Sequence, residues 1–280
     1  MEKSKVLVLL DNGHGINTPG KCSVDKSLAE WKYAREIVKG IIEQLQKEGY
    51  SCYNVHPEDE EFKSQSYDLK LRTDRANAKH AEMKKQGKTS LFVSVHVNAA
   101  GSCAGWQNAS GWTGWVAKSA SSNSKKLAQI LYDECEKRNL KGNRSVPKEK
   151  YWVADFWVVR KTNMPAVLVE AGFINSDYDN KLWDTKFQEI AQAIADGIMM
   201  SVPNHMDDPK GYAVQIGLFK YESNADYQAE LARDAGFDAE ITYEEPYYAV
   251  RVPVEGSLED ATRVQNRLKR RGFDTLIVTR

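Results

Sequence analysis

The stretch VLVLLDNGHG, residues 6–15, passes from five apolar residues into a glycine-rich turn that carries one of the five histidines of the chain. Its apolar half is short and aliphatic, which predicts a buried strand over residues 5–10. His14 then lies between Gly13 and Gly15, where the backbone can turn sharply and approach a bound group closely. Taken alone, this pattern is more typical of an ordinary turn residue than of a ligand. Whether His14 is a ligand therefore depends on which other residues are predicted to lie near this turn.

The segments that follow alternate between apolar runs and amphipathic stretches. Apolar runs predict strands at residues 52–55, 90–97, 112–117, 153–159 and 166–170. Three- and four-residue spacing predicts helices at residues 28–48, 69–81, 121–139 and 187–200. Strands that alternate with helices predict an α/β fold, a mostly parallel twisted sheet with helices on both faces.

A second, smaller domain is predicted at the C-terminal end. The polar, proline-bracketed segment 203–210 has the composition of a linker between residues 1–202 and residues 211–280. Residues 211–280 contain two strand–helix–strand units of the same order, which fits a small α+β split β-α-β domain with its helices on one face.

Composition excludes several classes of partner. The 280 residues include 39 basic and 39 acidic side chains, so no net field favours nucleic acid. No apolar run approaches the roughly 20 residues of a membrane span, so we expect no membrane insertion. Residues 1–5 lead directly into a strand without a signal segment. We therefore expect synthesis in the cytoplasm, with action outside the cell dependent on a separate route of release.

Three side chains with metal or acid–base chemistry stand at equivalent places. His14, His96 and Glu170 each lie at the end of a predicted strand, and parallel strands share one carboxyl edge where ligands bind. Glu30 begins the first long helix, within reach of the His14 turn. Two histidines and a carboxylate form a common catalytic zinc set, and a second carboxylate beside it serves as general base.

Glu170 also has a simpler interpretation. It ends the apolar run 166–169, and an ionised carboxylate there is costly to bury without a metal or a donor nearby. A salt bridge to Arg160 or Arg75 would satisfy that requirement without any catalytic role.

Five short motifs occur in a fixed order across residues 5–200: DNGHG at 11–15, Glu30 at a helix start, LRTDRAN at 71–77, SVHVNA at 94–99 and MPAVLVEAGFI at 164–174. Together they resemble the zinc-dependent N-acetylmuramoyl-L-alanine amidases of bacterial wall remodelling and phage lysis. The resemblance implies peptidoglycan as substrate and hydrolysis of the amide between N-acetylmuramic acid and L-alanine.

The same resemblance assigns the site residues. It implies one Zn²⁺ per chain, held by His14, Glu30 and His96, with Glu170 as the catalytic acid/base. It makes Asn98 and Arg160 candidate substrate-binding residues. Two departures affect substrate contacts rather than the metal set: the chain has Val55-His56 where the family has Thr-Arg, and the asparagine beyond the catalytic glutamate falls one residue early, as Asn175.

Residues 211–280 resemble the SPOR domain, a small peptidoglycan-binding module. The matching pieces are YAVQIGLF at 212–219, YAVRV at 248–252 and Gly-Phe at 272–273. The resemblance implies glycan binding across the sheet, with Gln215, Tyr248 and Arg251 as candidates. The alternative is that Tyr248 and Arg251 pair only with neighbouring strands.

Competing functions are separable. Among amidases, the missing leader favours a phage or prophage endolysin over a bacterial wall-remodelling enzyme. A catalytically silent wall-binding protein would have lost one of the four site residues, and a zinc carboxypeptidase would lack the ordered motifs. We expect the remaining histidines, His56, His80 and His205, to be solvated. The four cysteines show no paired spacing, so we expect reduced and mostly buried thiols. The exception is Cys22 with Cys103, each soon after a proposed histidine ligand, which form a candidate disulfide.

Overall fold

The computed structural model describes residues 3–57, 59–101, 105–202, 212–254 and 258–279. The chain divides into two compact units, Met1–Asn204 and His205–Arg280. The predicted linker at 203–210 lies outside the described residues. No described helix is long and apolar enough to cross a membrane.

The first unit alternates strands and helices along the chain. In order, they are β1 (Val6–Asn12), α1 (Glu30–Lys47), β2 (Ser51–Asn54), α2 (Gln65–Lys85), β3 (Thr89–Asn98), β4 (Trp112–Val116), α3 (Ser122–Lys137), β5 (Trp152–Val153), α4 (Trp157–Arg160), β6 (Ala166–Phe173) and α5 (Asp177–Ser201).

The strands form one sheet in the order β2-β1-β3-β6-β4-β5. The first four of these run parallel, and β4 is antiparallel to β6. The predicted α/β fold with a mostly parallel sheet is therefore confirmed. Because β1, β3 and β6 are adjacent and parallel, their carboxyl ends lie side by side at one edge.

Both faces of the sheet are covered, and alternation along each strand decides which residue faces which layer. Val8 and Leu10 belong to one core cluster, shared with α1, α3 and α5. Leu7 and Leu9 belong to the other, shared with α2 and α4. The polar site residues of the strands point to the same face of the sheet as Leu7 and Leu9, the face covered by α2 and α4. They are Asp11, Ser94, His96 and Glu170.

The predicted strand at residues 153–159 is wrong. The structure has the two-residue strand β5 and then the short helix α4, in which Val158 and Val159 are buried. The carboxylate of Asp155, which lies just before α4, pairs with Arg160 at the end of that helix, at 3.0 Å. A short apolar run does not distinguish a strand from a buried helical turn, because both remove the same side chains from water.

The second unit is a four-stranded antiparallel sheet with two helices. Its elements are β7 (Tyr212–Phe219), α6 (Glu222–Asp234), β8 (Glu240–Glu244), β9 (Tyr247–Val254), α7 (Leu258–Arg270) and β10 (Leu276–Thr279), with strand order β10-β7-β9-β8. A separate core joins Val214, Val250 and Val252 of the sheet to Ala229 of α6 and Leu268 of α7. The predicted small α+β domain is confirmed.

Candidate functional site

The turn after β1 brings two histidines together. Gly13 donates its backbone N–H to the carbonyl oxygen of Val95 at 2.8 Å, which attaches the turn to β3. A Cβ at Gly13 would lie 2.6 Å from Nδ1 of His96, so only glycine fits this approach. His14 follows with a φ of 63°, in the left-handed region. Gly13 is thus required by how closely the turn packs against His96, and Gly15 by the backbone of Phe62, whose nitrogen would lie 2.5 Å from a Cβ there.

Glu30 completes a three-residue cluster. As the first residue of α1, it is 3% exposed, and its Oε1 lies 3.1 Å from Nε2 of His14 and 3.1 Å from Nδ1 of His96. The two imidazole rings are almost perpendicular, at 86°. The ligand atoms of these three residues all lie within 4.8 Å of one another. Two imidazole nitrogens and one carboxylate oxygen are a donor set that suits a divalent transition metal.

The electrostatics of the cluster keep Glu30 ionised. Burial alone would raise its pKa, but hydrogen bonds from His14 and His96 outweigh burial and hold the pKa of Glu30 well below its ordinary value. Burial lowers the pKa of His96, which favours the neutral imidazole. A neutral imidazole beside an ionised carboxylate is the protonation state in which these side chains bind a metal.

Glu170 lies beside this cluster on the next strand. It is paired in register with His96, and both line the same cleft. Burial, and then the charge of Glu30, raise the pKa of Glu170 well above its ordinary value. Its Oε2 is buried with no hydrogen-bond partner among the described residues. Arg75 pairs instead with Glu60, at 2.9 Å, so it does not supply the predicted salt bridge.

A buried ion pair connects the strands that carry the histidines. Asp11 Oδ2 accepts hydrogen bonds from Arg72 Nη1 at 2.9 Å and from Ser94 Oγ at 2.6 Å. Arg72 is 3% exposed and belongs to α2, while Asp11 and Ser94 lie on β1 and β3. Breaking a buried pair of this kind leaves an uncompensated charge, which is strongly destabilising. The contact therefore fixes the ends of β1 and β3 relative to each other.

His56 is buried, and the prediction that it is solvated is wrong. It is 0% exposed, and its Nδ1 donates to the carbonyl oxygen of Asn12 at 2.7 Å. Nδ2 of Asn12 donates in return to the His56 carbonyl. Burial lowers the pKa of His56. His80 is half-buried and bonded to Ser90 at 2.7 Å, and His205 lies outside the described residues.

The cluster and Glu170 open into a cleft of about 730 Å³. Asn98, a candidate substrate-binding residue, lines this cleft. Arg160 is not among the described residues that line it. Its guanidinium lies 5.2 Å from the ring of Trp157 and pairs with Asp155, and these two residues do line the cleft. Arg160 therefore supports one wall of the cleft rather than facing into it.

Asn175 has a role that the sequence did not reveal. Its Oδ1 accepts from the backbone N–H of Ala100 at 2.9 Å, and its Nδ2 donates to the Ala100 carbonyl at 2.7 Å. The side chain thus connects the turn after β6 to the loop after β3.

Lys21 is a second residue that the sequence did not reveal: it lines the cleft, and its Nζ lies 4.0 Å from Oε2 of Glu30. Lys21 lies on an irregular loop, where the sequence has no helical or strand periodicity from which its position could be predicted.

In the second unit the candidate residues lie on two different faces. Arg251 Nη2 donates to Oε1 of Gln215 at 3.0 Å and to Oε2 of Glu244 at 2.9 Å, across the surface opposite the helices. Tyr248 lies on the helix side, packed against the core and stacked on Tyr243 with ring centroids 4.8 Å apart. The structure therefore brings Gln215 and Arg251 together but leaves Tyr248 apart from them.

The predicted disulfide involves a residue that lies outside the described part of the chain, Cys103. Cys22 carries a free thiol and is half-buried. Its backbone forms an isolated bridge with Ala29, directly before Glu30.

The comparisons with known proteins agree with this geometry. The family model described as N-acetylmuramoyl-L-alanine amidase matches residues 8–200. The chain belongs to this family. The SPOR domain model matches residues 208–279. The chain is thus a cell-wall amidase that carries a SPOR domain, and its substrate is peptidoglycan.

Individual relatives support the same assignment. The N-acetylmuramoyl-L-alanine amidase CwlM of Bacillus licheniformis is 28% identical over 240 residues, which cover 85% of this amidase and 85% of that relative. The endolysin of Bacillus phage SPP1 is 32% identical over 194 residues, or 69% of this chain and 64% of that relative. The crystal structure of N-acetylmuramoyl-L-alanine amidase from Clostridium difficile 630 is 26% identical, with a TM-score of 0.56, and covers 70% of this chain and 96% of that one.

Proposed function

We propose that this amidase holds one zinc ion through His14, Glu30 and His96 and uses Glu170 as its acid/base. The observation that supports the metal site is the convergence of the three ligand atoms, all within 4.8 Å, from three separate elements of the fold. The donor set of two imidazoles and one carboxylate matches the one that catalytic zinc sites use. When bound, zinc supplies a Lewis acid that polarises the amide carbonyl and lowers the pKa of a water.

The other functions at the site, proton transfer, positioning of the histidines and substrate contact, belong to different residues of the chain. Glu170, on the strand next to His96, accepts the proton of the attacking water and returns it to the departing amine of L-alanine. The buried Asp11–Arg72 pair keeps the ends of β1 and β3 in place, so that His14 and His96 face each other. Asn98, on the same cleft, is proposed to contact the substrate.

The experiment that tests this function is mass spectrometry of sacculi digested with and without a chelator. We expect muramic acid residues without stem peptides, together with peptides that begin with a free L-alanine amine, and we expect both to disappear with the chelator. Release of single C-terminal residues would indicate a carboxypeptidase. Undiminished cleavage in the chelator, with zinc shown to be absent, would contradict the proposed zinc dependence.

We further propose that residues 211–280 anchor the enzyme to peptidoglycan, with residues 203–210 as the linker after a catalytic domain of residues 1–202. The SPOR match and the separate core of the second unit support this division. Gln215 and Arg251, which meet on the sheet surface opposite the helices, are the proposed glycan contacts. Tyr248 was predicted with them, but its packing against the core makes it the weakest of the three candidates.

Two biological settings fit the same chemistry. The endolysin of Bacillus phage SPP1 supports the predicted role as a phage or prophage endolysin. The Bacillus licheniformis amidase, which matches over 85% of both chains, supports the alternative role in bacterial wall remodelling. Deletion of the gene discriminates between them. Loss of cell lysis after phage induction would support the endolysin, whereas normal lysis with defective cell separation would support the remodelling enzyme.

A further inference from the structure

One wall of the active-site cleft is a single face of α2. Gln65, Asp68, Leu69 and Arg72 all line the cleft, and their spacing of three and four residues places them on the same side of that helix. Phe62, just before the helix, lines the cleft beside them. This wall contains none of the proposed metal ligands, so its side chains other than Arg72, which pairs with Asp11, are available to select among substrates.

Most charged side chains of the cleft already have a role or a partner. Glu30 is held by the two histidines, and Glu170 is proposed as the acid/base. Asp155 pairs with Arg160 at 3.0 Å, and Arg72 pairs with Asp11 at 2.9 Å. Among the described residues that line the cleft, these roles and contacts account for every acidic group except Asp68.

Asp68 is buried but incompletely bonded. It is 3% exposed, and its Oδ1 accepts one long hydrogen bond, 3.4 Å, from the backbone N–H of Lys63. Its Oδ2 is buried with no partner among the described residues. A buried carboxylate oxygen without a donor carries a free-energy cost that a ligand donor can remove. Because Asp68 lines the cleft, a donor that reaches its carboxylate from the cleft would supply the missing hydrogen bond.

The surroundings of Asp68 favour a cation as that donor. Among the described residues, the two basic side chains that line the cleft are both beside other carboxylates: Arg72 pairs with Asp11 at 2.9 Å, and Lys21 lies 4.0 Å from Glu30. Phe62 and Leu69 on the same wall offer apolar surface to the methylene groups of a long amine. A carboxylate binds an ammonium group through charge-assisted hydrogen bonds, which are stronger than those to a neutral amide.

We propose that Asp68 is a specificity-determining residue that binds the free side-chain amine of a diamino residue, such as lysine, in the stem peptide of the substrate. The proposal rests on the amidase function, because it names the part of the peptidoglycan substrate that the α2 wall recognises. Asp68 selects peptides whose amine is unmodified and discriminates against peptides whose amine is acylated.

The test compares two soluble muramyl tripeptides whose third residue is lysine, one with a free ε-amine and one with that amine acetylated. For the wild-type enzyme we expect a KM about tenfold lower for the free amine at similar kcat, the effect of one hydrogen bond to a charged group. Asp68→Asn keeps the shape of the side chain and removes its charge, and it should abolish this preference. Asp68→Glu restores the charge and should restore part of the preference.

Asp74→Asn serves as the matched control, because Asp74 is an exposed residue of α2 whose carboxylate pairs with Lys70 outside the cleft. It should leave both KM values unchanged. Equal KM values for the two peptides in the wild-type enzyme would overturn the proposal, as would an equal loss on both peptides in Asp68→Asn. Because both peptides contain the same scissile amide, cleavage of either one reports the amidase activity independently of the role of Asp68.

Discussion

Glu170 and His96 are register partners on the adjacent parallel strands β6 and β3. Adjacent strands lie about 4.8 Å apart, and paired residues of parallel strands project to the same side of the sheet. The carboxylate and the imidazole therefore enter the cleft side by side, although one belongs to the proposed metal set and the other does not. This placement allows Glu170 to act on a water at the metal without being a ligand itself.

Replacement of Glu170 by Ala should reduce hydrolysis of a soluble muramyl peptide by at least about a hundredfold, the contribution expected of a positioned general acid/base. Zinc content, measured by atomic emission on the purified protein, should stay near one per chain. Glu43→Gln, at an exposed position of α1, should change neither quantity. If zinc were lost with Glu170→Ala, the assignment of Glu30 as third ligand would be wrong.

Removal of residues 211–280 should weaken sedimentation with sacculi and spare the hydrolysis of a short soluble muramyl peptide. The physical reason is that the two units have separate hydrophobic cores, so the catalytic sheet does not depend on the C-terminal one. Binding is measured by the protein left in the supernatant after centrifugation with excess sacculi. A truncated enzyme that still sedimented completely would exclude the anchoring role.

Arg251→Ala in the full-length chain should also weaken binding to sacculi, by several-fold in Kd, while hydrolysis of the soluble peptide stays unchanged. Gln215 and Glu244 accept from four of the five N–H groups of Arg251 and fix it on the open sheet surface, so its one remaining Nη1 N–H is pre-oriented for a polar ligand. Arg270→Ala, an exposed residue at the end of α7, is the control for loss of one positive charge. Identical Kd values for the two variants would show that only net charge matters.

The site was predictable where short-range pattern and sheet geometry act together. The apolar runs before His14, His96 and Glu170 predicted the strands β1, β3 and β6, and the shared carboxyl edge of parallel strands predicted that these residues converge. Glu30 was predicted at the start of the first long helix, and the structure begins α1 there. Each of these inferences needs only the local sequence and one rule of topology.

The residues that were missed depend on long-range packing. His56 lies two residues after β2, and it is buried where its ring contacts the backbone of Asn12, a residue distant in sequence. Asp68 lies on a helix whose overall pattern is polar, so its burial is set by the sheet against which α2 packs. For Tyr248 a local signal existed: the alternation of Val250 and Val252 with Arg251 already places Tyr248 on the core side of β9.

Asp179 offers a test of the turn that follows Glu170. Its carboxylate accepts hydrogen bonds from the backbone N–H of Gly111 at 2.9 Å and of Phe173 at 2.8 Å, so it joins the start of α5 to the residue before β4 and to the end of β6. Burial raises the pKa of Asp179 from 3.8 to about 6, against the opposing effect of these hydrogen bonds. The folded state therefore binds a proton at this carboxyl more tightly than the unfolded state does.

The sign of the pH effect follows from that difference. The stability contributed by protonation is present in full below the unfolded pKa of 3.8 and is lost as the pH rises through about 6. Its size is at most about 3 kcal/mol, since one pKa unit corresponds to about 1.4 kcal/mol. The side-chain amide of the variant Asp179→Asn would not titrate. The free energy of unfolding of the wild type, relative to that variant, should therefore rise as the pH falls from 7.5 to 4.5.

Urea denaturation of both proteins across this pH range measures the effect directly. Asp177→Asn is the matched control, because Asp177 lies in the same helical turn but is exposed and paired with Lys181 at 2.6 Å. Its stability relative to the wild type should vary much less over the same interval. If Asp179→Asn and the wild type instead keep a constant difference from pH 7.5 to 4.5, then the Asp179 carboxyl does not titrate in the folded state within that range.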